Sequence, residues 1–348
     1  ESVLPKDCGR CSVAEPLGLL VPLLAFGIAW AVTWRCYRPG SWLHFLDQPN
    51  ERSLHATAVP RTGGVGVMAG VAVAGLLVGA SGGLAGPLLA ALGGALALAG
   101  LGLMDDRRSL PARVRFLAQM LAAGVFLAFA APAGGGMAVT LLLIGLVWMA
   151  NLYNFMDGSD GLAGGMALFG FATLGVAAAI AGQAPLALLC AGVAAAAAGF
   201  LCFNFHPARI FMGDVGSVPL GFLAGALGIA GYEAGIWPLW FPLLVFSPFI
   251  VDASVTLLRR ALRGEKVWQA HRNHYYQRMV RMGIGHRGTA LRAYLLMAGT
   301  GGTALVALPM GFSLQCGIIT MWSFTYLILG WLIDRAWRRH ESVEGHRP

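Results

Sequence analysis

Residues 137–165 read MAVTLLLIGLVWMANLYNFMDGSDGLAGG. The uncharged apolar run 137–150 passes directly into Asn151, Asn154, Asp157 and Asp160, spaced by threes, and then into a second apolar run rich in Gly and Ala. Such a segment belongs in a bilayer, where amides and carboxylates are costly unless they bind something. On a helix, Asn154, Asp157 and Asp160 share a face and can converge on one ligand. A plainer reading is a helix cap. Ser159 or Asp160 can cap a helix that starts near Leu162, with Gly158 and Gly161 making the turn. That accounts for one acid, but not for two acids and two amides.

The rest of the chain has the same character. It is 57% hydrophobic and 11% charged, with mean hydropathy +0.69, where a soluble domain carries roughly 25% charge. The expected fold class is an all-α polytopic integral membrane protein. Eleven apolar runs can each supply a spanning helix: 16–34, 64–80, 84–104, 114–131, 137–150, 162–182, 185–203, 217–232, 236–258, 290–310 and 313–334. Several are short or broken by glycine, so about ten or eleven transmembrane helices are expected. No internal repeat or soluble domain is visible. A single transmembrane domain is read over 1–348, with an extracytoplasmic tail at 1–15 and a cytoplasmic one at 335–348.

With eleven spans, alternate connections share a side. One side collects 22 of the 24 Lys and Arg, all but Lys6 and Arg10, and the positive-inside rule makes it cytoplasmic. The net charge of +8 is therefore a one-sided field suited to anionic lipid or anionic substrate, not a nucleic-acid signature. The opposite connections are only a few residues long, so the active site is expected on the cytoplasmic face.

Every unusual polar cluster falls on that face. They are DQPNERSLHATAVPRTGG (47–64), MDDRR (104–108), the Asn/Asp run, FNFHPARIFMGDVGS (203–217) and AHRNHYYQRMV (270–280). Five such clusters at one end of apolar hairpins suggest a single assembled site. Asp105 and Asp106 repel one another unless a cation bridges them, and a hard cation such as Mg²⁺ favours carboxylates plus phosphates; surface ion pairs with Arg107 and Arg108 are the alternative. Asp214 stands between glycines at a helix start that favours phosphate or simply needs a cap. Phe211 can stack on a base or fill core. His271, His274, Arg278 and Arg281 recur as on one helical face, and they suit an anion or a basic surface on anionic lipid. Asp47, Asn50 and His55 carry no role of their own. Asp252 and Asp334 are expected to pair with nearby Arg. Cys36, Cys190, Cys202 and Cys316 read as apolar fillers, and Cys8 and Cys11 as a disulfide or an inert tail.

In this order the motifs resemble those of the polyprenyl-phosphate N-acetylhexosamine-1-phosphate transferases, the family of MraY, WecA and WbpL. The resemblance runs from about Asp47 to Arg281 and rests on Asp105-Asp106, NxxNxxDGxDGLAGG, FMGDVGS and the His/Arg segment. It implies a multi-pass enzyme of the bacterial inner membrane that moves a sugar 1-phosphate from a UDP-N-acetylhexosamine to undecaprenyl phosphate and releases UMP. It also implies Mg²⁺ dependence, with Mn²⁺ able to substitute, contact with membrane lipids, and a homodimer, a state common in the family.

Position by position, the resemblance makes Asp214 the metal ligand. Asp105, with Asp106 beside it, becomes a base or a handler of the lipid phosphate. Asp157 and Asp160 become acids around nucleotide and metal. His271, His274 and Arg278 become the groups facing phosphates and sugar. Asn204 and Phe211 become uracil contacts, and Asn151 and Asn154 join them as substrate-binding amides. The bound phosphates carry roughly −3 to −4 charge, so catalysis is mostly positioning and charge stabilisation. Because a phosphate monoester is mostly dianionic above its second pKa of about 6, direct attack is favoured over a carboxylate-bound intermediate.

The chain departs from the family pattern in two places. Ser109 stands where a third acid or amide often follows the Asp pair. The last loop reads HRNHYYQR, with Tyr275 and Tyr276, where the MraY branch has three adjacent His. The first weakens any mechanism that needs a third acid; the second points to the WecA/WbpL side, which starts O-antigen or other surface polysaccharides. An MraY-type transferase of peptidoglycan synthesis is the alternative, and an ion-coupled secondary transporter is the alternative of another class.

Overall fold

The computed structural model describes residues 11–41, 45–47, 58–84, 86–267, 269 and 271–344. Asn50, His55 and Cys8 lie outside the described residues. Among those described, ten helices are long and apolar enough to cross a membrane. Eight come from the first two thirds of the chain: α1 (Cys11–Tyr37), α2 (Gly63–Ala80), α3 (Pro87–Arg108), α4 (Ala112–Ala130), α5 (Gly135–Phe155), α6 (Leu162–Ile180), α7 (Ala184–Asn204) and α8 (Asp214–Glu233). The others are Tyr275–Ala307, built of α11 (Tyr275–Met279), a π-helical turn (Val280–Ile284) and α12 (Gly285–Ala307), and α13 (Phe312–Glu344). The only strands described are β1 (Leu46–Asp47) and β2 (Val59–Pro60), a two-residue antiparallel ladder pairing Leu46 with Pro60 and Asp47 with Val59.

The expected run 236–258 is present as two pieces, α9 (Trp240–Val245) and α10 (Ser247–Leu262). Pro248 lies in the first turn of α10, where its missing N–H is harmless, and Ser247 Oγ donates to the carbonyl of Leu244 at 2.6 Å across the break. Trp237 packs against Gly231 near the end of α8, while Leu257 shares a cavity with Asp214 at its start. The two pieces therefore traverse the same thickness as α8.

The helical face expected for His271, His274, Arg278 and Arg281 is not there. Helix starts only at Tyr275, with His274 as its N-cap. Five residues on, the π turn Val280–Ile284 begins, and it contains Gly283 at φ +89°. His271 thus sits in the preceding loop, and the 3.6-residue spacing does not apply to it. At the other end of this region, α13 prolongs its helix through 335–344.

α8 is the axis of the bundle, packed by α3, α5 and α2, while α1, α2, α6 and α7 form the adjoining layer. Small residues make these contacts because apolar lipid leaves close van der Waals packing as the main attraction between helices. A Cβ on Gly102 of α3 would lie 2.5 Å from the Asp214 carbonyl oxygen, so only glycine lets α3 cross the start of α8 at this distance. α13 is peripheral: none of its spanning window is buried, as suits a lipid-facing helix.

Candidate active site

The start of α8 is held by three other segments. The amides of Asp214 and Val215 donate to the two oxygens of Asp106, both at 3.3 Å. Here Asp106, at the end of α3, supplies the negative charge that a helix N-terminus favours. Arg61 donates to the Asp106 carbonyl and its Nε lies 3.7 Å from the carboxylate. Arg61 is placed by hydrogen bonds from the Phe211 amide to the Pro60 carbonyl (2.7 Å) and from the Gly63 amide to the Phe211 carbonyl (2.8 Å). Gly213 adopts φ +73°, and a Cβ there would meet Asp106 Oδ2 at 2.7 Å, so the GDVGS turn needs glycine.

Above this turn Asp214 Oδ1 accepts a hydrogen bond from Asn154 Nδ2 at 2.8 Å, and the same amide donates to Ser217 Oγ at 2.9 Å. Asp214 Oδ2 faces Arg115 Nη1 at 3.4 Å, and that nitrogen also donates to Asp105 Oδ2 at 3.0 Å. Two acids from α3 and α8 therefore share one cation. Asp157, just past α5, is held well above the usual carboxylate range by burial and by the charges of Asp214 and Asp106, while the Gly213 amide donates to it.

A cavity of about 650 Å³ opens on these groups. Its polar lining includes Asp105, Asp214, Arg113, Arg115, Asn151 and Asn154, with His271, His274 and Gln277. Its apolar lining includes Leu98, Leu101, Phe116, Val218 and Leu257. Asn151 Nδ2 donates to Gln119 Oε1 at 2.6 Å, so an amide pair marks the deeper part. His271 is pushed down to about 4, first by burial and then by His274 and Arg260, and stands as a neutral ring at pH 7.

The remaining expected site residues lie elsewhere. Asp160 heads a second polar cluster, where its Oδ2 pairs with His206 Nδ1 at 2.6 Å and accepts from the Ala208 amide at 3.1 Å. His286 Nδ1 lies 3.6 Å from Asp160 Oδ1 and its ring stacks on His206. Asn204 is buried and committed to the backbone: its oxygen accepts from the Gly161 amide at 3.0 Å and its nitrogen donates to the Ile210 carbonyl at 2.9 Å. Phe211 is half-buried beside the β2–α2 connection and does not line the cavity. Arg278 turns away to Asp334 of α13 at 2.9 Å, an acid it shares with Arg259 at 2.6 Å. Asp334 thus pairs with arginine as expected. Asp252 does not; its partners are His274 Nδ1 and the amides of Tyr275 and Tyr276.

The residues that sequence reasoning missed are Arg61, Arg115, Gln119, Asp252, His206 and His286. A signal existed for one pair. Arg115 and Gln119 are polar residues at i and i+4 in an otherwise apolar stretch, and therefore share a face. Nothing local gives Arg61 its partner 45 residues away, or Asp252 its contacts with His274 and Tyr276, 22 and 24 residues away.

The donor set suits a hard divalent cation. Asp105 and Asp214 offer oxygen ligands and already converge on one positive nitrogen. Among the described residues no three His, Cys, Asp or Glu side chains form a ready-made cage.

Comparison with known proteins bears on the same segments. The model of the glycosyl transferase family 4 matches residues 88–232, from α3 through α8. A Bacillus subtilis (strain 168) protein named "Probable undecaprenyl-phosphate N-acetylglucosaminyl 1-phosphate transferase" is 33% identical over 72% of this chain and 74% of its own. The undecaprenyl-phosphate alpha-N-acetylglucosaminyl 1-phosphate transferase of Yersinia pestis is 28% identical over 84% and 85%. The decaprenyl-phosphate N-acetylglucosaminephosphotransferase of Mycobacterium tuberculosis (strain CDC 1551 / Oshkosh) is 30% identical over 79% of each chain. The chain belongs to the polyprenyl-phosphate N-acetylhexosamine-1-phosphate transferase family.

Proposed function

We propose that the protein transfers N-acetylhexosamine 1-phosphate from a UDP-sugar to undecaprenyl phosphate at the cytoplasmic face of the inner membrane, releasing UMP and starting a surface polysaccharide such as O-antigen. The observation that carries this reading is the cavity itself. Its lining combines apolar side chains suited to a prenyl chain with two carboxylates, two arginines and two amides suited to phosphates and a metal. N-acetylglucosamine leads among donors because the relatives described above carry it in their names.

In this reading Asp214 and Asp105 hold Mg²⁺, which when bound offsets the charge of the donor diphosphate. Asn154 fixes the Asp214 carboxylate by hydrogen bonding to Oδ1. Arg115 and Arg113 give the cavity the positive charge that draws two anionic substrates together. The lipid phosphate is already mostly dianionic near neutral pH, so no side chain is needed to take a proton from it, and Asp105 acts by fixing Arg115, whose guanidinium can orient the phosphate. An oxygen of the lipid phosphate attacks the sugar-bearing phosphorus, the bond to the bridging oxygen breaks, and UMP leaves with that electron pair. The resulting lipid diphosphate keeps its prenyl chain along the apolar lining.

Purified protein supplied with undecaprenyl phosphate, Mg²⁺ and a panel of UDP-N-acetylhexosamines tests this. UMP release that needs both lipid and metal, and that favours one donor, is the expected result. Release only from UDP-MurNAc-pentapeptide would move the protein to peptidoglycan synthesis, and no release from any donor would overturn the transferase reading.

A further inference from the structure

Asp252 lies in the second turn of α10 and is 8% exposed. A buried carboxylate must have its acceptor sites filled. Four donors do this: the amides of Tyr275 (2.9 Å) and Tyr276 (3.0 Å), Thr256 Oγ1 (3.3 Å) and His274 Nδ1 (3.2 Å). A carboxylate only accepts, so the imidazole nitrogen facing it carries the proton. The ring is one of a cluster of rings. It is packed against His271 at 4.8 Å between centroids, Tyr276 at 5.8 Å and Phe155 at 6.5 Å. His274 lines the cavity beside Gln277 and His271, while Asp252, which holds the Nδ1 side, does not line it, so the opposite edge with Nε2 is the one toward the cavity.

We propose that Asp252 is a positioning residue: it commits the Nδ1 proton of His274 to itself and thereby presents Nε2 to the cavity as an acceptor for an O–H or N–H of the bound hexosamine. The same carboxylate caps α11, so tautomer and helix start are fixed by one group. An acid that holds a histidine in one tautomer acts without touching substrate, and replacing it by an amide permits the wrong tautomer. The ligand assigned to Nε2 rests on the transferase reading above; the tautomer does not.

The test uses full-length protein with ¹⁵N-labelled histidine in lipid nanodiscs, with His274 assigned from a His274→Gln sample. The expected spectrum has Nδ1 protonated and Nε2 unprotonated. Asp252→Asn should let the Nε2–H tautomer appear, raise KM for the UDP-sugar about tenfold, and leave KM for the lipid within twofold. An Nε2–H tautomer in the unaltered protein would overturn the proposal. So would an unchanged tautomer, or an unchanged donor KM, in a folded Asp252→Asn protein. If that variant does not fold, the spectrum of the unaltered protein decides. Absence of any UMP release from unaltered protein would sink the transferase reading while leaving the tautomer measurement to stand on its own.

Discussion

At the residue scale the site is a problem of like charge. Asp105 and Asp214 share a single arginine nitrogen, and Asp106 is occupied in capping α8. If Asp214 is the metal ligand, Asp214→Asn should lower turnover by about 10²–10³-fold, the scale for losing one charge-stabilising group. Raising Mg²⁺ should not restore it; recovery in a titration of UMP release would remove that assignment. His271 offers a pH test. Its folded value of about 4 lies below its ordinary 6.5, so between those two pH values the unfolded chain binds the proton and the folded chain does not. Stability therefore falls as pH drops from about 6.5 toward 4. Melting of His271→Gln across that range should show a flatter pH dependence than the unaltered protein.

The local chemistry of Asp105, Asn154 and Asp214 was legible because acids and amides at the end of apolar runs stand out. The separation of Asp160, Asn204 and Phe211 from the cavity was not. Short polar motifs show which residues are unusual, but not which neighbour satisfies them. Asn204 spends both ends of its amide on backbone that only the fold brings close.

At the scale of elements, the geometry depends on how closely α3 crosses the start of α8. Gly102→Val would force the helices apart against the Asp214 backbone, at an overpacking cost of about 1–3 kcal/mol. It would also carry Asp105 away from Asp214, where a shift of 1 Å can cost about 10²-fold in rate. A drop in melting temperature together with a large loss of kcat is expected; full activity would show that this crossing does not set the site. Elements were the most legible level, since ten apolar runs became ten long helices. The two failures have physical causes. Pro248 and Ser247 divide the run 236–258 into two pieces, and helix begins only at Tyr275, so His271 lies in the loop before it and shares no helical register with Arg281.

At the scale of the molecule, five polar segments far apart in sequence meet at one end of the bundle. Hydrogen bonds join 61 to 106, 106 to 214, 154 to 214, 161 to 204 and 252 to 274. A transporter would need its charges reachable from both sides. In a cysteine-free background, single cysteines at Ser109 and Arg263 should label only from the cytoplasm, those at Gln183 and Ala234 only from outside, and substrate should not change the pattern. Labelling at Ser109 from both sides would favour transport.

The proposed reaction moves a sugar-bearing phosphorus to a lipid. That transfer can be followed with UDP-N-acetylglucosamine carrying ³²P in the β-phosphate, incubated with the protein, undecaprenyl phosphate and Mg²⁺. The label should enter the lipid fraction one for one with UMP release, and EDTA or omission of lipid should abolish both. Label leaving as UDP or inorganic phosphate, or staying in the donor, would contradict it.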